Sequence, residues 1–157
     1  MNRLQLIQRV RSLTRDFSES IFRQNDIIDF INESIDRFKQ VIPELNGLTH
    51  LSLSTSEPSL IPESYQHMLA LYSASRCFGQ DERHYQSATL MNEFETKLEE
   101  LRMLIENGEI KIINPDTGEE ISRDNPVDFV ELESYWGNAH TGVFSGEDLD
   151  DGVEGLE

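Results

Sequence analysis

The sequence predicts a mainly α protein: a small bundle of about four helices carrying a β-hairpin and an extended acidic C-terminal arm. Three observations predict it. Apolar residues return every three or four positions in four stretches before Gly108. A turn sequence, Pro115-Asp116-Thr117-Gly118, follows an alternating Ile110-Lys111-Ile112. Residues 124–157 have ten acids, no Lys or Arg and no periodicity. The organisation expected is a helical domain over 1–108, a hairpin over 109–123 and an arm over 124–157, in a chain of 157 residues with the length of one ordinary domain.

The first helix is expected over Asn2 to Leu13, where Leu4, Leu6, Ile7, Val10 and Leu13 share a face and the arginines fall between them. The second opens near Asn25 as N-cap and carries Ile28, Ile31, Ile35, Phe38 and Ile42 until Pro43 stops it. A Ser/Thr/Pro-rich loop from Glu44 to Pro62 follows, with one short alternation at Leu51 and Leu53 that has room for a strand. Pro62 and Glu63 suit the first turn of a third helix with Tyr65, Met68 or Leu69, and Tyr72 as its buried stripe. Its small residues Ala70, Ser73, Ala74 and Ser75 let another helix approach closely. Gly79 is expected to end it, and Asp81 to cap the next. That last helix runs from Glu82 to Asn107 on a stripe through Tyr85, Ala88, Met91, Phe94 or Lys97, Leu98, Leu101 and Ile105.

A lone two-stranded hairpin is marginal in water. The one between Glu109 and Ser122 therefore has to pack on a helix, pair with Leu51 to Leu53, or pair with another chain. Ile110, Ile112 and Ile121 are its candidate intersubunit residues. In the arm, Phe129, Tyr135, Trp136 and Phe144 stand among acids and glycines, a composition that orders against a partner; they are the candidate partner-binding anchors.

The chemistry-bearing residues do not form a catalytic or metal constellation in sequence. Cys77, the only cysteine, lies between His67 and His84. On one helix the ten residues from His67 to Cys77 span roughly 15 Å at 1.5 Å per residue, too far to share a proton. His50, His67, His84 and His140 lack ligand spacing, and a single cysteine excludes thiolate clusters and an internal disulfide. The terminal DLDDGVEGLE lacks the alternating ligands and following helix of a calcium loop. Glu99-Glu100 and Glu119-Glu120 fall on expected solvent faces, and no glycine-rich phosphate loop is present. No enzyme activity and no cofactor are expected.

Charge limits the partners. A net charge of −17 opposes direct binding to nucleic acid, which needs a basic patch. The chain is polarised: Arg3, Arg9, Arg11, Arg15 and Arg23 stand near its start against Asp16 and Glu19 alone, while the acids gather at its end. No stretch is apolar enough for a membrane span and the N-terminal residues lack a signal-peptide core, so a protein made in a reducing cytoplasm, with no membrane partner, is expected.

Two segments resemble the head-tail connector adaptors of tailed bacteriophages. They are DIIDFINESIDRFKQVIPE, with its Asn32-Glu33 pair ahead of an apolar stripe, and LIPESYQHMLALYSASRCFGQDERHYQSATLMNEFETKLEEL. In the second, the Ile61-Pro62 opening, the small residues between Tyr72 and Arg76, the charged break at Asp81-Glu82 and the Phe94 to Leu98 helix follow the family's order. The resemblance covers about half the chain, Ile27 to Leu104. It implies a structural virion protein of the neck, assembled in the host cytoplasm, that forms a ring of about twelve copies beneath the portal protein. Such a ring extends the DNA channel, lets DNA pass without specific binding, and receives a downstream neck or tail protein. The long acidic extension after Arg123 departs from short family members. A second class fits the charge: an acidic inhibitor that mimics DNA before a DNA-binding protein. The acids concentrate in a glycine-rich arm, however, where a mimic needs them on a rigid surface.

Overall fold

Asn2 caps the first helix by reciprocal hydrogen bonds. In the computed structural model, which describes residues 1–53 and 57–122, its side-chain oxygen accepts from the N–H of Gln5 at 2.9 Å, and its own N–H donates to the Gln5 side chain at 2.8 Å. Helix α1 (Arg3–Thr14) follows and ends at Arg15, whose backbone turns left-handed at φ 60. Leu6, Ile7 and Val10 are buried; Leu4, expected among them, is exposed. Arg11, expected on a solvent face, is buried.

Helix α2 (Gln24–Val41) buries Ile27, Phe30, Ile31, Ser34, Ile35 and Phe38, an i, i+3, i+4, i+7 stripe that needs a packed partner along its whole length. It begins one residue before Asn25, after Arg23, and has no side-chain cap. It stops where Pro43 requires: Ile42 is extended, and Pro43–Leu45 form a single 3-10 turn. The loop beyond holds no strand at Leu51 to Leu53. Instead the Asn32 side chain accepts from the N–H of Leu51 at 2.8 Å and donates to its carbonyl at 3.3 Å, supplying both bonds that a strand partner would. Leu51 is thereby buried while Leu53 is almost fully exposed.

The third helix starts later than Pro62 suggests. Glu63–Tyr65 make a 3-10 turn, and helix α3 (Met68–Gln80) follows. Gly79 lies within it, and Asp81 closes α3 by donating its N–H to the carbonyl of Cys77 rather than capping the next helix. Helix α4 (His84–Glu106) buries Phe94, Leu98 and Leu101, but Tyr85 at its start points to solvent.

α3 is the hub of the bundle and packs on the other three helices. It is fit for this because Ala70, Ser73, Ala74 and Ser75 are small and buried, and the Ser75 hydroxyl donates to the Ser87 carbonyl of α4 at 2.7 Å. α1 runs parallel to α3: the Met1 amino group bonds Gln66 at one end, and Leu13 shares a cleft with Phe78 at the other. α2 runs antiparallel to α3, with Asp26 and Phe30 near its start beside Cys77 and Arg76 while Arg37 lies near Tyr72, and α4 folds back along α3 with Ser87 bonded to Ser75. At the centre, the ring of Phe94 meets Phe38 and Tyr72 edge-on at centroid distances of 5.8 and 5.1 Å.

After α4, β1 (Ile112–Ile113) and β2 (Glu120–Ile121) pair antiparallel, Ile112 opposite Ile121. Asn114 takes the N–H of Asp116 on its side chain and that of Gly118 on its carbonyl, and Gly118 is left-handed at φ 72, a conformation that glycine adopts without a Cβ clash. Ile112 and Ile121 join the same core as the helices, so the hairpin packs on its own chain's bundle. No helix among the described residues is long and apolar enough to cross a membrane.

Candidate functional site

The end of the bundle where α1 stops and α4 starts is organised by one buried aspartate. Asp16 directly follows the left-handed Arg15, and its carboxylate accepts from the backbone N–H groups of Ser20 (3.1 Å), Ile21 (3.2 Å) and Phe22 (3.1 Å). Arg11, one turn back on α1, adds a guanidinium N–H at 2.9 Å. Burial pushes the Asp16 carboxyl up, but the three backbone donors and Arg11 outweigh it and hold the group below its ordinary 3.8. Arg11 also donates to the Phe22 carbonyl at 3.4 Å; its Nε has no hydrogen bond, with the Glu19 carboxylate 3.8 Å away.

This clasp fixes a seven-residue loop and decides which side chains face outward. Phe22 turns into the core, while Phe17 is 75% and Ile21 58% exposed. Next to the loop lies a cleft of about 350 Å3 with apolar walls from Leu13, Phe78 and Leu90 and with Arg15, Arg83 and Tyr85 on its sides. The Arg83 guanidinium sits 4.9 Å from the centre of the Phe78 ring, and Tyr85 is 82% exposed. Large apolar side chains held outward on a fixed backbone are what a protein contact needs, since little conformational freedom remains to be lost on binding.

The opposite end carries the hairpin. Between it, the close of α4 and the Pro43–Leu45 turn runs a second groove of about 350 Å3 lined by Glu44, Ile105, Ile110 and Glu120 among others. Of the hairpin residues expected to meet a neighbour, Ile112 and Ile121 point into the chain's own core, and Ile110 is half-buried at the groove. Ile113, on the other face of β1, is the one left open to solvent, at 46%. Phe129, Tyr135, Trp136 and Phe144 lie outside the described residues.

Cys77 is fully buried on α3, and its thiol is pushed up to about 12, first by burial and then by the charge of Asp26. A thiol so placed is a packing group at neutral pH. His67 stands at the start of the same helix with Nδ1 on the Ser64 carbonyl at 2.9 Å, and His84 is exposed. Among the described residues no group of His, Cys, Asp or Glu is arranged to hold a metal ion.

Sequence reading missed the Asp16 loop because Arg11 and Asp16 appear as ordinary charges of a solvated face. The available signal was an aspartate just past a helix end, followed by residues whose N–H groups had no helix to join, with an arginine five residues earlier. Compared with known protein families, curated proteins and solved structures, the chain shows no significant match.

Proposed function

We propose that this protein is a structural assembly protein, a head-tail connector adaptor that forms a ring beneath a phage portal, extends the DNA channel and joins the head to the neck or tail. The resemblance of residues 27–104 to that family supports the reading. The observation that carries it is the outward display of Phe17 and Ile21 on a loop whose backbone is fixed by Asp16. A buried ion pair and three backbone bonds are committed to a loop that holds two large apolar side chains in solvent, which supports a role in protein contact.

The mechanism is mechanical and electrostatic. Rigid helical subunits close a circle through apolar and charged contacts, while the net charge of −17 per copy gives the channel a field that repels DNA phosphates and keeps passing DNA from adhering. The portal protein, neighbouring copies and a downstream neck or tail protein are the partners of this reading.

The test is co-elution of the purified protein with the portal protein of the same genome in size-exclusion chromatography at micromolar concentration. The wild type is expected to shift into the portal peak, and the double variant Phe17→Ser/Ile21→Ser to bind at least about tenfold more weakly. A wild-type protein that stays monomeric and ignores the portal contradicts the reading.

A further inference from the structure

Each end of the bundle carries charge that the described residues do not match. Glu44, in the 3-10 turn after α2, is only 7% exposed, lines the groove beside the hairpin, and makes no hydrogen bond or ion pair among the described residues. Its acidic neighbours are matched: Glu106 takes Arg102 at 2.6 Å, and Glu120 takes Lys111 at 2.7 Å. Most of the Glu44 residue is covered, and its carboxylate, with no cation beside it among the described residues, meets solvent through the groove. At the other end the relation is reversed. Arg15 and Arg83 line the apolar cleft and have no carboxylate partner among the described residues; stacking of Arg83 on Phe78 leaves the N–H edge of its guanidinium unused.

We propose that copies of this chain join head to tail, with the Arg15 and Arg83 edge of one copy set against the Glu44 groove of the next. The partner is therefore a second copy, and three features of the surface select it. The charges are opposite, and arginine offers a planar pair of donors to a recessed carboxylate. Apolar groups accompany both: Leu13, Tyr85 and Leu90 line the cleft with the arginines, while Ile105 and Ile110 line the groove. The patches lie at opposite ends of α4, separated by the fifteen residues from Leu90 to Ile105, roughly 22 Å at 1.5 Å per residue, so they cannot meet each other within one bundle. Patches that differ and lie apart generate a heterologous contact, which closes into a ring where the rotation between copies closes and otherwise extends as an open filament. This rests on the assembly reading above and specifies which surfaces meet.

The experiment reads assembly by sedimentation velocity and native mass spectrometry, with and without portal. Arg83 is exposed, so Arg83→Glu is expected to fold normally and weaken self-association at least about tenfold. Glu44→Gln keeps the shape, removes the charge and is expected to weaken association in the same direction. A mixture of Arg83→Glu with Glu44→Arg is expected to recover assembly that neither shows alone, with circular dichroism first establishing that Glu44→Arg is folded. As a measurement independent of that variant, Arg83→Cys/Glu120→Cys in a Cys77→Ala background is expected to give cross-links between copies under a short bis-maleimide. If the wild type assembles while Arg83→Glu and Glu44→Gln assemble equally well and no cross-link forms, this contact is wrong and the connector reading stands. If the wild type assembles under no condition, both fail.

Discussion

Arg11 and Asp16 form an ion pair at 2.9 Å with both side chains withdrawn from solvent, at 8% and 0% exposure. The pair ties the last turn of α1 to the loop that leads into α2. Its geometry makes the loop part of the fold, since the same carboxylate holds the backbone of Ser20, Ile21 and Phe22.

Asp16→Asn should destabilise the protein by about 3 kcal/mol, because it leaves the Arg11 guanidinium buried without its anion and turns an amide N–H toward other donors. Urea unfolding followed by circular dichroism measures this. A loss below about 0.5 kcal/mol would show that the clasp does not hold the loop.

The same carboxylate sets an acid limit. Its folded-state value lies below the ordinary 3.8, so the unfolded chain binds the proton more readily. The stabilisation is present above about pH 4, the unfolded range, and is lost as pH falls through the lowered folded value. Wild type should lose stability in that window, and Asp16→Asn should lose less there; parallel pH profiles for the two would contradict the assignment.

Phe94→Ala should cost about 3 to 5 kcal/mol, since the ring is fully buried and touches Phe38 and Tyr72 across three helices. Thermal unfolding gives the value, and a change below about 1 kcal/mol would mean that the centre of the bundle repacks freely.

Cys77→Ala should leave assembly with the portal unchanged, and the native thiol should resist alkylation at neutral pH until urea exposes it, because burial holds it at about 12. Rapid labelling of the folded protein would contradict the packing role.

Residues that speak through local periodicity or turn chemistry were readable. The end of α2 follows from Pro43, the hairpin turn from Pro115 to Gly118, and the close approach of α3 and α4 from the small residues between Ala70 and Ser75. Features made by distant partners were not. The alternation at Leu51 and Leu53 looks like a strand, yet the Asn32 side chain, 19 residues away, supplies the bonds. Tyr85 and Ala88 continue the helical period expected of α4 but face solvent, because the start of α4 meets α3 through Arg83 and Ser87 instead. Glu44 reads as a loop acid until the fold brings the hairpin beside it.

Ring formation by copies of this chain on a portal, the proposed role, can be read by native mass spectrometry of the portal mixed with excess protein. A mass increase of about twelve copies per portal assembly is expected, accompanied in electron micrographs by a ring coaxial with the portal. A portal mass unchanged by a saturating excess of folded protein would contradict it.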